Sequence, residues 1–126
     1  MFTPSSDFFK RLLDNLSTAI ILVDDKLHVS YLNPSAEMLL AISRSKAVGH
    51  PLEAIFVDSL GGDIMLKMAK TLKTAHPFTK REAHLRVGIN EVVVDYTVAA
   101  LLSPHDPPSL LIEMQQIDRL LRISRE

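Results

Sequence analysis

One junction constrains this chain more than any other stretch. Residues Tyr31-Leu32-Asn33-Pro34-Ser35-Ala36-Glu37-Met38 read as a strand that ends and a helix that begins at the next residue. The side-chain oxygen of Asn33 can accept a hydrogen bond from a first-turn N–H. Pro34 suits the first helical position, because the N–H it lacks would have no partner there. Glu37 lies near the positive end of the helix dipole. Whatever the fold, residue 32 must close an extended run and residue 34 must open a helical one.

The periodicity on either side extends this reading. Residues 19–23 are apolar throughout, as expected of a strand covered on both faces. After the polar turn 24–26, Leu27, Val29 and Tyr31 alternate with His28, Ser30 and Leu32, which predicts a hairpin. Upstream, Phe8, Phe9, Leu12, Leu13 and Leu16 recur at helical spacing over 7–16, with Asp7 as the expected cap. Downstream, Gly49-His50-Pro51 breaks the chain before one helical turn at 52–56. A longer helix follows over 63–74 and stops at His76-Pro77. Strands are predicted at 79–87, 91–102 and 110–115, separated by Gly88-Ile89-Asn90 and by the Pro-rich loop 103–108. Strands on both sides of a helical insertion imply an α+β domain. It has one five-stranded antiparallel sheet with helices packed on one side, plus flanking N- and C-terminal helices. The expected division is an N-terminal helix at 1–17, a core at 18–116, and the start of an exit helix at 117–126.

Composition narrows the function. Fourteen basic and fifteen acidic residues give a net charge of −1, so no broad cationic face is available for nucleic acid. The chain has no cysteine, which removes disulfides and thiolate metal sites and leans towards a cytoplasmic setting. Apolar runs are far shorter than the ~20 residues that span a bilayer, and no signal peptide is legible. No membrane association is expected.

The element order resembles that of PAS domains, and the residues agree. Residues 13–20 followed by Val23-Asp24 resemble the opening of many of them. Residues 31–39 look like their central junction, and Val48-Gly49-His50-Pro51-Leu52 like the turn after it. More narrowly, residues 17–24 together with 32–37, and the exit Met114-Gln115-Gln116-Ile117-Asp118-Arg119, are similar to sensor histidine kinases of the NtrB nitrogen-regulation family. That resemblance implies an N-terminal sensory module of a two-component kinase. It also implies a PII protein and the response regulator NtrC as partners of segments outside this chain. No His here stands in a phosphoacceptor context and no Gly-rich phosphate loop occurs, so the chain itself is expected to be non-catalytic.

Within that resemblance, Phe8, Phe9, Leu12 and Leu16 pack either on the domain's own sheet or on a second subunit, and a homodimer is expected. In the tail, Met114, Ile117, Leu121 and Ser124 follow 3-4-3 spacing. A relay helix carrying Ile117, Leu120 and Leu121 is therefore expected to lead towards the kinase parts. Lys80, His84 and Arg86 fall on one face of a strand by alternation and form a candidate anion site, although a solvated sheet face explains them better. No cofactor is expected: flavin photochemistry needs the missing cysteine, the 63–74 helix lacks a haem-ligating His, and aromatics are 6% of residues with no Trp. The alternative reading is a PAS domain that senses a small ligand or cofactor in another signalling protein.

Overall fold

The computed structural model describes residues 6–58 and 63–117. The chain opens with α1 (Ser6–Asp14), then β1 (Ala19–Val23) and β2 (Val29–Leu32). Helices α2 (Pro34–Leu40) and α3 (Arg44–Ala47) and a 3-10 turn at Leu52–Ala54 follow. The short β3 (Val57–Asp58) and α4 (Ile64–Thr74) lead to β4 (Phe78–Val87), β5 (Asn90–Leu101) and β6 (Ser109–Gln116). The five longer strands form an antiparallel sheet to which β3 adds a two-residue edge, in the order β2-β1-β6-β5-β4-β3.

The core lies on one face of this sheet. Ile21, Val23 and Leu32 from the hairpin, Leu85, Val94, Tyr96 and Val98 from β4 and β5, and Leu110, Ile112 and Met114 from β6 are all buried. They cluster with Ala36, Leu40, Ala47, Leu52, Phe56 and Met68 from the helical insertion. Phe56 and Phe78 both meet the Tyr96 ring edge-on, at 5.1 and 6.4 Å between centroids, the geometry that ring quadrupoles favour. The opposite sheet face is barer: Leu22, Ala99 and Leu111 remain half-exposed, and Leu101 is 44% exposed.

Two local features depart from simple alternation. Extended pairing of β2 starts at Val29, because Leu27 sits in the left-handed region at φ 62°. The carboxylate of Asp24 shapes this turn by accepting from Lys26 N and His28 N, both at 2.9 Å. A Leu, which is not branched at Cβ, costs about 1 kcal/mol in that conformation relative to a right-handed one, and its side chain packs against the core in return. In β4 the ladder slips between Lys80 and Ala83, with Glu82 at φ 55° and its N–H donating to the Asp95 carboxylate at 2.8 Å. This bulge inserts an unpaired step and reverses the side-chain parity of everything before it.

Smaller shifts follow from the same physics. Asp7 lies inside the first turn of α1 instead of capping it. The helix ends at Asp14, with Asn15 and Leu16 closing it by further backbone bonds to Arg11, Leu12 and Leu13. The β2 edge is covered by the segment after α3: Val29 N donates to His50 O and Gly49 N to Val29 O, at 2.9 and 2.8 Å. Gly49 makes this approach at φ 89°, open to glycine at little cost.

Asn33 ties these parts together. It is fully buried, and its side-chain oxygen accepts from Ala36 N, the helix cap, and from Ile20 N in β1, both at 2.9 Å. Its amide nitrogen donates to Thr18 O at 2.9 Å and to Leu13 O, in the last turn of α1, at 3.1 Å. Every hydrogen-bonding site of the amide is thus used, and four pieces of chain are fixed by one side chain. Asn33→Ala strands two buried N–H groups and two carbonyls in a site too tight for easy repair. Urea unfolding is expected to register a loss of about 3 kcal/mol, from the cap plus unsatisfied polar groups. Asn33→Asp keeps both acceptor roles but turns a buried carboxylate oxygen against the Leu13 and Thr18 carbonyls, so at neutral pH it should lose at least as much.

Candidate dimerisation and relay surface

No residue of α1 is fully buried, so its position rests on anchors at its C-terminal end. Besides the Asn33 bond to Leu13 O, the Ser35 hydroxyl donates to Leu16 O at 2.7 Å. The third anchor is electrostatic. Asp14 accepts a short hydrogen bond from the Tyr31 hydroxyl on β2 and pairs with the Arg44 guanidinium on α3 at 3.2 Å. Arg44 also donates from Nε to Leu32 O at 3.0 Å and lies 5.1 Å from the centre of the Tyr31 ring, within cation–π range. The Arg44 backbone N–H is held by the Glu37 carboxylate at 2.8 Å, which fixes the start of α3 and with it the guanidinium.

This arrangement shifts both titrating groups. The hydrogen bond from Tyr31, helped by the charge of Arg44, holds the Asp14 carboxyl below the usual carboxylate range. Burial, and then the bond given to Asp14, hold the Tyr31 phenol above its ordinary range. Sequence spacing could not reveal this cluster, because its members lie 17 and 30 residues apart.

Of the residues predicted to form a dimer contact, Phe9 is 53%, Leu12 46% and Leu16 37% exposed. Phe8 is half-buried and packs edge-on against Phe9 with 6.0 Å between ring centres. Phe8, Leu12 and Leu16, with Arg11 and Asn15, border a shallow cleft of about 420 Å³. The helix therefore presents an apolar stripe away from its own core while its end is pinned to that core.

At the other end of the chain, Gln116 still belongs to β6, and Ile117 N donates to Val93 O at 3.0 Å. Ile117 thus prolongs the β5–β6 ladder, where the sequence predicted the first turn of the exit helix. Leu120 and Leu121, the other predicted relay residues, lie outside the described residues.

The predicted basic face of Lys80, His84 and Arg86 does not form. Because of the bulge, Lys80 is the register partner of buried Tyr96, on the core side with Phe78 and Ala83. His84 and Arg86 oppose Val93 and Glu91 on the outer face. There the His84 Nδ1 lies 3.3 Å from a Glu91 carboxylate oxygen. An anion there would meet the Glu91 carboxylate beside Arg86, with Lys80 on the far side of the sheet.

A family model described as PAS fold matches residues 13–116. The chain is 33% identical over 117 residues to the sensory histidine kinase/phosphatase NtrB of Salmonella typhimurium and 31% identical to that of Escherichia coli O157:H7. Each alignment covers 92% of this chain and 32% of the relative, so the chain spans about a third of these proteins. Among solved structures, the PAS domain of nitrogen regulation protein NR(II) from Vibrio parahaemolyticus superposes with a TM-score of 0.71. It shares 24% identity, over 90% of this chain and 100% of that one. A PAS domain from Colwellia psychrerythraea reaches a TM-score of 0.74 at 15% identity, over 88% of this chain and 95% of that one.

The Asp14–Tyr31–Arg44 cluster makes α1 attachment depend on pH at both extremes. Asp14 contributes above the ordinary carboxylate pKa, and its contribution is lost as pH falls through its lowered value. Tyr31 contributes below the ordinary phenol pKa, and its contribution is lost as pH rises through its raised one. In a Tyr96→Phe background, where Tyr31 is the one tyrosine left, tyrosinate absorbance should appear later than for a free phenol. Adding Asp14→Asn should move that titration down; an unchanged midpoint would mean that the bond does not persist in solution.

Proposed function

Because the chain belongs to the PAS-fold family, we propose that it is the sensory input module of a cytoplasmic NtrB-type histidine kinase, working as a homodimer joined through α1. The observation that carries this reading is the combination at α1: an apolar stripe turned to solvent on a helix whose C-terminal end is pinned to β2, α2 and α3. A helix with no buried residue is marginal in isolation, and a second copy of the same helix would cover the stripe on both subunits at once. The half-exposed outer sheet face, with Leu22, Ala99, Leu101 and Leu111, would add to that interface.

In mechanism, two arrangements of the paired α1 helices differ by about 1–3 kcal/mol, and a signal shifts their populations. Asn33 and the Asp14 cluster carry a tilt of α1 into β1 and β2. Strand β6, paired to β1 from Leu110 to Met114, passes the change to residue 117 and onward. The PII protein and the response regulator NtrC, implied by the resemblance to NtrB, would act on parts of the parent outside residues 1–126. The phosphoacceptor His and the ATP site would lie there as well.

Light scattering over a concentration series tests the dimer. The chain is expected to pair at micromolar concentration, and Phe9→Asp/Leu12→Asp to be monomeric with an unchanged melting temperature, since both side chains are exposed. A wild-type chain that stays monomeric at high micromolar concentration would remove the dimer. A variant that still pairs would move the interface off α1.

A further inference from the structure

A second apolar groove lies on different elements from α1. The β1–β2 turn, α4 and the end of the β5–β6 loop meet around a cavity of about 760 Å³ bordered by Leu27, Leu66, Ala69, Leu72 and Pro108. Leu66 is 67% exposed. The rim carries Lys26, Lys70 and Lys73 against a single acid, Asp25, in a chain whose net charge is −1. The local positive field is therefore a property of this groove and does not reflect overall composition.

Helical lysines usually alternate with acids at i, i+4, where they pair along the surface. Helix α4, Ile-Met-Leu-Lys-Met-Ala-Lys-Thr-Leu-Lys-Thr, contains Lys67, Lys70 and Lys73 and no acid. Among the described residues no ion pair forms to Lys26, Lys70 or Lys73. The floor is also held in place before any partner arrives. Asp24 locks the turn through its bonds to Lys26 N and His28 N, and Leu27 N donates to Asp24 O at 3.0 Å. Leu72 and Leu27 are anchored against the core.

We propose that this groove docks an acidic amphipathic helix of a partner protein, with aliphatic side chains on the Leu27, Leu66 and Leu72 floor and carboxylates against Lys26, Lys70 and Lys73. Apolar anchors in a groove between charged rims are how a protein surface reads such a helix, and the lysine rim selects its sign. The concave floor and the rim carboxylate of Asp25 fit a peptide better than an anionic bilayer. The absence of aromatic residues around the groove argues against nucleic-acid bases.

The test uses two synthetic helical peptides with leucine at i, i+3, i+4 and i+7, one with glutamate and one with lysine at the remaining positions. Each is titrated into the 15N-labelled chain up to millimolar concentration. The acidic peptide should shift the amides of Leu27, Leu66, Ala69, Lys70 and Leu72 to saturation, and added salt should weaken it. Lys70→Glu/Lys73→Glu should reduce its affinity about tenfold or more with the melting temperature kept. Leu66→Ser should weaken both charge states of the protein towards the same peptide. The proposal falls if the basic peptide binds as well, if the shifts map elsewhere, if the double variant binds unchanged, or if no saturable shift occurs. Binding of phosphatidylglycerol vesicles in preference to the acidic peptide would reassign the surface to a membrane and also overturn it.

Discussion

The side-chain amide of Asn33 is the interaction on which the rest of the architecture depends. A carboxamide has two donors and an acceptor oxygen with two lone pairs, and here all four are matched at 2.9–3.1 Å inside the protein. Each bond alone is worth about 1 kcal/mol net, but a buried polar group left unmade costs more than a made one contributes. The chain is therefore confined to the one geometry in which β1, the α1 terminus and the α2 cap are placed together. Alternatives that slide β1 by one residue would strand an amide in the core, and they would also turn Ile21 and Val23 outward.

Around that point the structure divides into a rigid face and an adaptable one. On the helical side, fully buried Leu40, Leu52, Phe56, Met68 and Tyr96 interlock with the sheet, and changes of one methylene would be felt. On the other side, the C-terminal end of α1 is held by polar contacts: Asn33, Ser35, and the Asp14–Tyr31–Arg44 cluster. Asn33 is buried, but the side chains of the Arg44–Asp14 ion pair are half-exposed, and solvent-screened ion pairs contribute little to global stability. They set the direction of α1 with modest energy.

Much of this was legible in the chain itself. The Asn33-Pro34 junction announced the end of β2 and the cap of α2 because its chemistry is local. The spacing of Ile64, Met68 and Leu72 marked α4, and Gly88-Ile89 marked the β4–β5 turn. What escaped detection depends on distance or on single unusual residues. The β4 bulge carries no glycine: Glu82 adopts a left-handed φ because the Asp95 carboxylate, thirteen residues away, captures its N–H. That one contact is why strict alternation put Lys80 on the wrong side of the sheet. Leu27 likewise takes a conformation that usually signals Gly or Asn, compensated by packing that only the folded core provides. The four-residue α3 and two-residue β3 are too short for periodicity to mark.

The pairing of β1 with β6 has a mechanical consequence. Ala19 and Met114 are register partners, so the strand that follows α1 and the strand that leads out of the domain run side by side, about 5 Å apart. Because the two strands are antiparallel, the start of β1 and the end of β6 lie at the same end of the ladder, so a load entering through α1 and leaving at residue 117 falls first on the Ala19–Met114 end and bypasses the helical insertion. Hydrogen bonds loaded along the strands share the force, while bonds pulled one at a time yield in sequence. Such a load would therefore open the β1–β6 pairing from the Ala19–Met114 end, one pair after another, while the helical layer keeps its packing.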